Sequence, residues 1–149
     1  MSQTFLDGRI IVEQPEAGFR SGTDAGLLAA AVPAMAGQAA LELGAGSGAA
    51  GLCLLARVPG LALAGVEIDA ACAARARANA AANRMQARFV AGDIFDLPPD
   101  LRRDFDQVFA NPPFHDAGQQ SPDPARARAL SDEGALRQWL STGLQRAVS

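Results

Sequence analysis

Four short segments of the chain combine residue types that do chemistry, and they follow one another in a fixed order. The first, LELGAGSG at 41–48, runs an apolar stretch into three alternating glycines, Gly44, Gly46 and Gly48. Glycine tolerates positive φ and lets the backbone approach a ligand closely. A helix starting behind such a loop offers free N–H groups to polar ligand atoms. The second and third, VEID at 66–69 and AGDIFD at 91–96, set the acids Glu67 and Asp93 at the ends of apolar stretches. Carboxylates there accept hydrogen bonds from ribose hydroxyls at Glu67 and from the amino group of a base at Asp93. The fourth, NPPF at 111–114, is chemically the most specific. Its prolines fix φ and hold the Pro112 carbonyl in one direction. The Asn111 side-chain oxygen and that carbonyl can together accept both hydrogens of a planar amine, leaving its lone pair free to attack. Phe114 offers a face on which a base stacks, worth roughly 1–3 kcal/mol.

The glycine loop by itself admits two nucleotide ligands. Gly46, Gly48 and Gly51 fit the G-x-G-x-x-G dinucleotide fingerprint, with Glu67 about twenty residues further on. Glu42, two residues before the first glycine, carries a charge that opposes a pyrophosphate. S-adenosylmethionine has no phosphate; its sulfonium and amino group are both positive and are favoured by a nearby carboxylate. Glu67 serves either ligand, and two successive acids at Glu67 and Asp93 suit an adenosyl group. An NAD(P)-dependent oxidoreductase is the competing class. His115, the one histidine, adjoins the fourth motif. Methyl transfer to an amine needs no strong base, because the methylated amine is acidic and water takes its proton, so loop packing or RNA contact suits His115 better than general-base work.

These motifs need elements to position them. Asp7-Gly8 between two short apolar runs signals a hairpin. Thr23 or Asp24 can cap a helix that Pro33 ends. An alternation then begins: strand 39–43, helix 48–57, strand 61–67, helix from Ala70 to about Asn83, strand 87–91, a turn from Asp93 to Leu97, and strand 105–110. A final helix starts near Ser131 and carries Leu136, Trp139, Leu140 and Leu144 at helical spacing, with Trp139 packing it onto the sheet. Such alternation with short loops predicts an α/β fold, a Rossmann-like, doubly wound parallel sheet behind an N-terminal β-hairpin. Ligands of these sheets bind at the carboxyl ends of the strands, and each of the four motifs falls at one.

Taken together, LELGAGSG, VEID, AGDIFD and NPPF resemble the class I S-adenosylmethionine-dependent methyltransferases that act on amino groups through an N-P-P-(Y/F) loop. The leading segment QPEAGFRSGTDAGLLAA is similar to the N-terminal signature of the bacterial tRNA(Val) adenine-N6 methyltransferases. The resemblance covers nearly the whole chain and implies S-adenosylmethionine as cofactor and RNA, a tRNA in particular, as partner. It puts Arg20 and Asp24 near the methionine end of the cofactor. Glu42, Gly44, Ala45, Gly46 and Gly48 would line it, Glu67 and Ile68 would take the ribose end, and Asp93 and Ile94 the adenine. Asn111, Pro112, Pro113 and Phe114 would position the target amine, with Asn111 also beside the cofactor. The helix run ARANAAAN, with Asn79 and Asn83 four apart, matches the same pattern. Phe114 stands where the tRNA family more often has Tyr. NPPFH is also similar to ribosomal RNA guanine-N2 methyltransferases, and release-factor glutamine methyltransferases use N-P-P-Y on an amide, so the target stays open among these.

Composition bounds the rest. At 149 residues and 15.4 kDa the chain makes one domain with a real core: a hairpin-and-helix segment 1–37 and a core 38–149. The hydrophobic fraction of 49% overstates its large side chains, since 33 residues are Ala. No apolar run is long enough for a membrane span, and the N-terminus has no secretory pattern. Cys53 and Cys72 begin no metal-ligand spacing, so no metal is expected, and reduced cysteines suit the cytoplasm. A net charge of −3 argues against a basic surface spread over the whole molecule. The strand order is expected to be 3-2-1-4, counted along the core, whereas the fold resembled continues with three more strands. The chain therefore reads as a truncated cofactor-binding half with weak or absent transfer, self-associating as a homo-oligomer through the exposed edge of strand 105–110 or the last helix.

Overall fold

The computed structural model describes residues 1–18, 20–112 and 133–148. The chain opens with β1 (Ser2–Phe5) and β2 (Ile10–Glu13), paired antiparallel. Arg9 N donates to Leu6 O at 3.2 Å, closing a turn on Asp7 and Gly8, both at positive φ as a tight hairpin turn requires. Then follow α1 (Thr23–Ala31), β3 (Ala39–Leu43), α2 (Ala49–Arg57), β4 (Ala62–Glu67), α3 (Ala70–Ala82), β5 (Ala87–Ala91), a 3₁₀ turn at Pro99–Leu101, β6 (Gln107–Ala110) and α4 (Glu133–Arg146). The second sheet has the order β5-β4-β3-β6 with every pairing parallel. Counted along the core, that is the expected 3-2-1-4, and the fold is a Rossmann-like α/β sheet with an N-terminal hairpin.

Both faces of the sheet are covered, so β3 is buried without alternation from Ala40 to Leu43, Glu42 included. Ala40 faces a cluster shared with the hairpin and α1 to α3, including Phe5, Val12, Leu52, Leu54 and Phe89. Leu41 and Leu43 face a second cluster with Val66, Leu97, Leu101 and Phe105, against which Trp139 of α4 packs. Leu136, Leu140 and Leu144 of the same helix are exposed. The Asp69 side chain caps α3, accepting from Ala71 N and Cys72 N.

Two local expectations are corrected. Neither Thr23 nor Asp24 caps α1. The N-cap is Gly22, and Asp24 Oδ1 instead accepts from the Gly22 amide at 2.8 Å, reaching backward out of the helix. The strand expected at 105–110 begins only at Gln107, because Phe105 pairs elsewhere. Its amide donates to Arg146 O at 2.7 Å and its carbonyl accepts from Val148 N at 2.9 Å. Residues 147–148 thus lie parallel beside the start of this edge, which is partly occupied rather than bare.

Phe105 is 1% exposed, and Arg103 stacks over its outer ring face at 4.3 Å. Replacing it with Ala is expected to cost about 3–5 kcal/mol, as for other buried aromatic truncations. Urea unfolding checks this; a loss below about 1 kcal/mol would mean that the second cluster is not a packed core.

Candidate functional site

Parallel pairing sets the carboxyl ends of the strands level. Leu43 of β3 lies opposite Val66 of β4 and Ala110 of β6, and Glu67 lies opposite Ala91 of β5. One residue beyond the Leu43 pairings come Gly44, Glu67 and Asn111, on strands spaced about 4.8 Å apart. Asp93 follows two residues after Ala91. Segments distant in sequence therefore meet along one edge of the sheet.

The glycine loop is braced by its neighbour. Gly44 N and Ala45 N both donate to Val66 O, at 2.9 and 3.0 Å. Gly46 N donates to Glu67 Oε2 at 2.8 Å, and Asp69 N to Glu67 Oε1 at 3.0 Å. Each Glu67 oxygen keeps a further lone pair, so the carboxylate retains capacity for a pair of hydroxyls. Gly44, Gly46 and Gly48 all have positive φ. A Cβ on Gly44 would come within 2.6 Å of Trp139 Cη2, whereas one on Gly46 would meet nothing within 4 Å among the described residues. The loop is thus closed by Trp139 on one side and open over Gly46, where a ligand can reach the backbone.

The remaining candidates divide by position. Ile68 is 62% exposed beside Glu67, and Asp93 is exposed, its Oδ1 accepting from Phe95 N at 2.8 Å. Ile94 is buried in the second cluster and Ala45 in the first. Arg20 is exposed, and its hydrogen bond goes to Met1 Sδ on the hairpin side. Asn111 Nδ2 donates to Asp24 Oδ2. A carboxylate only accepts, so this bond fixes which way the amide points and leaves Asn111 Oδ1 as the outward acceptor. Pro112 is described; Pro113, Phe114 and His115 lie outside the described residues. Two aromatic residues were not among the sequence candidates. Phe95, 42% exposed next to Asp93, meets Trp139 edge-on at 6.5 Å, and the pair walls the side of the loop near Gly44. A Phe two residues after a strand-end acid was the available signal for Phe95.

Glu42 lies behind the loop. Alternation along β3 turns its side chain toward α2, where it is 3% exposed. Its Oε2 has no hydrogen-bond partner among the described residues and stands 2.5 Å from where a Cβ on Gly51 would be. Burial pushes its carboxyl up to about 8; the Gly51 amide offsets part of this, and the Glu67 charge adds to it. The same burial, with the Glu42 charge, raises the Cys53 thiol to about 11, leaving it unreactive near neutrality. Among the described residues no group of three His, Cys, Asp or Glu is placed to hold a metal, and no helix is long and apolar enough to cross a membrane.

The methyltransferase small domain family model matches residues 16–138. The tRNA1(Val) (adenine(37)-N6)-methyltransferase of Porphyromonas gingivalis W83 is 37% identical over 131 residues, 82% of this chain and 51% of the relative. Ribosomal RNA small subunit methyltransferase C of Salmonella newport is 32% identical over 147 residues, 97% of this chain and 41% of that protein. Among solved structures, TrmN from Thermus thermophilus superposes with a TM-score of 0.55 at 27% identity, over 61% of this chain and 28% of that one. The chain spans about half the length of the curated relatives it matches.

Two outcomes follow from this geometry. Glu67→Gln keeps the size of the side chain but puts a donor where two amides donate, and it is expected to weaken S-adenosylhomocysteine binding about tenfold or more. Calorimetry measures it, with NAD expected to give no heat; binding of NAD but not of the homocysteine ligand would refute the cofactor assignment. A carboxyl raised to about 8 in the fold binds its proton more tightly than in the unfolded chain. Stability tied to Glu42 is therefore fully present below its unfolded value and is lost as pH rises toward about 8. The melting temperature of the native chain should fall relative to Glu42→Gln between about pH 5 and pH 8, and a constant difference would contradict this.

Proposed function

The chain belongs to the methyltransferase small domain family of class I S-adenosylmethionine-dependent methyltransferases, and from that premise we propose that it methylates an exocyclic amine of RNA, adenine N6 of a tRNA. The observation that carries this reading is the placement of Asn111. The β3–β6 register sets it beside Gly44, and Asp24 holds its amide with the oxygen turned outward. Asp24 comes from α1, so the helix of the leading segment and the fourth motif act on one point.

The residues present fit S-adenosylmethionine. Gly46 leaves open space over a backbone at positive φ, and Glu67 supplies the acceptors for a ribose. Ile68 offers an exposed apolar side chain and Asp93 an exposed carboxylate for the adenosyl end. When bound, the cofactor supplies a methyl group activated by its sulfonium. Asn111 Oδ1, and the Pro112 carbonyl with it, accept the hydrogens of the target amine and hold its lone pair toward that methyl. The amine so held would take that methyl in place of one proton, which would pass to water. None of these steps calls for a strong base.

A ribosomal RNA substrate is the second reading. It is favoured by the match to the small-subunit methyltransferase, which spans 97% of this chain at an identity close to that of the tRNA relatives. An assay with unmodified tRNA and unmodified small-subunit RNA, followed by nucleoside mass spectrometry, separates N6-methyladenosine from N2-methylguanosine. Asn111→Ala should lower turnover about 10²–10³-fold, by analogy with loss of a donor in an oxyanion hole. Its affinity for S-adenosylhomocysteine should stay within a few-fold, since the residue serves the substrate. Near-normal turnover by the variant would overturn the role assigned to Asn111.

A further inference from the structure

Asn79 and Asn83 sit one turn apart on α3, and both grip the hairpin. Asn83 Oδ1 accepts from Ile11 N at 3.0 Å and its Nδ2 donates to Ile11 O at 2.6 Å. Asn79 treats Glu13 the same way, accepting from its amide at 2.9 Å and donating to its carbonyl at 3.0 Å. A helical turn rises about 5.4 Å and two strand residues about 6.8 Å, close enough for two amides to imitate a neighbouring strand along β2. The two side chains differ in their second Nδ2 hydrogen. That of Asn83 returns to Asn79 O in its own helix, at 2.8 Å. That of Asn79 goes to Ser47 O, at 2.9 Å, in the middle of the glycine loop.

Asn79 is 2% exposed, and its amide is saturated: both hydrogens and the oxygen are committed. The Ser47 peptide that it grips lies between Gly46 and Gly48, two residues at positive φ with wide conformational freedom. The Gly48 N to Ala45 O bond of 2.8 Å closes the turn, and Asn79 ties the remaining carbonyl. The same loop carries the Gly46 amide that Glu67 accepts.

We propose that Asn79 is a positioning residue that ties the N-terminal hairpin to the glycine loop and holds the Ser47 peptide in the shape that receives the cofactor. This rests on the loop being the cofactor site. The hairpin is then part of the cofactor apparatus, because displacing β2 at Glu13 pulls on the same amide that holds Ser47. Asn83 clamps the hairpin equally well without reaching the loop, and so separates docking from positioning.

Amide hydrogen exchange by NMR and calorimetry with S-adenosylhomocysteine test this on the native chain, Asn79→Asp and Asn83→Asp. Aspartate has the same shape but donates nothing. Asn79→Asp should speed exchange at Ala45, Gly46 and Gly48 about tenfold or more and weaken binding by a similar factor. Asn83→Asp should lower the melting temperature while leaving loop exchange and affinity within about threefold, because the bonds it loses go to Ile11 O and Asn79 O and none reaches the glycine loop. Equal loop exchange in the two variants, or none in Asn79→Asp, overturns the proposal. If Asn79→Asp does not fold, Asn79→Ala is read by the same comparison. A native chain that binds no S-adenosylhomocysteine would overturn the cofactor reading, and loop exchange would still decide whether Asn79 holds the loop.

Discussion

β3 is paired in parallel on both sides, with β4 along one edge and β6 along the other, so its own end sets the level at which its neighbours end. The ladder that satisfies its buried backbone groups also decides what stands beside Gly44. With Leu43 opposite Val66 and Ala110, the next residues along are Glu67 and Asn111. A slip of one residue would turn Leu41 and Leu43 out of the second cluster and bring Ala40 and Glu42 into it. Packing therefore specifies the register, and the register specifies the site. The ladder thus brings the glycine loop, Glu67 and Asn111 to one level, and side-chain bonds such as Gly46 N to Glu67 Oε2 then fix them there.

Around that frame the polar side chains act mainly as ties between segments. Glu67 holds Gly46 and Asp69, Asp24 holds Gly22 and Asn111, and Asn79 holds Glu13 and Ser47. Each joins an element of the sheet edge to something distant in sequence. Glu42 is the exception, a buried carboxyl with one oxygen unpartnered, kept neutral near pH 7 by burial. An unpartnered buried oxygen costs stability.

What was legible in the sequence was what depends on neighbours in the chain. Strands 39–43 and 87–91 and the helix from Ala70 match their expected bounds because their apolar patterns and flanking turn residues are local. The parallel pairing follows from the alternation, and the order 3-2-1-4 from the resembled fold. The cap of α1 was misread because Asp24, a good capping residue by type, is engaged by Gly22 and by Asn111, 87 residues away. Phe105 left the fourth strand for a pairing with the last residues described, which no local pattern announces. Asn79 and Asn83 matched the family pattern by type and spacing, but what they hold was not legible, since their partners on β2 are 66 and 72 residues distant. Side chains spend their hydrogen bonds over distances that a sequence does not display, and here the positioning of the site is made of such bonds.

If one register assembles one cofactor site from four strand ends, a single ligand must be felt at all four. Chemical-shift mapping of the backbone amides during titration with S-adenosylhomocysteine measures this. Shifts are expected together at Gly44–Gly48, Glu67–Asp69, Asp93–Phe95 and Asn111, saturating at a single ligand concentration. Shifts confined to α4 or the hairpin, or groups that saturate separately, would contradict it.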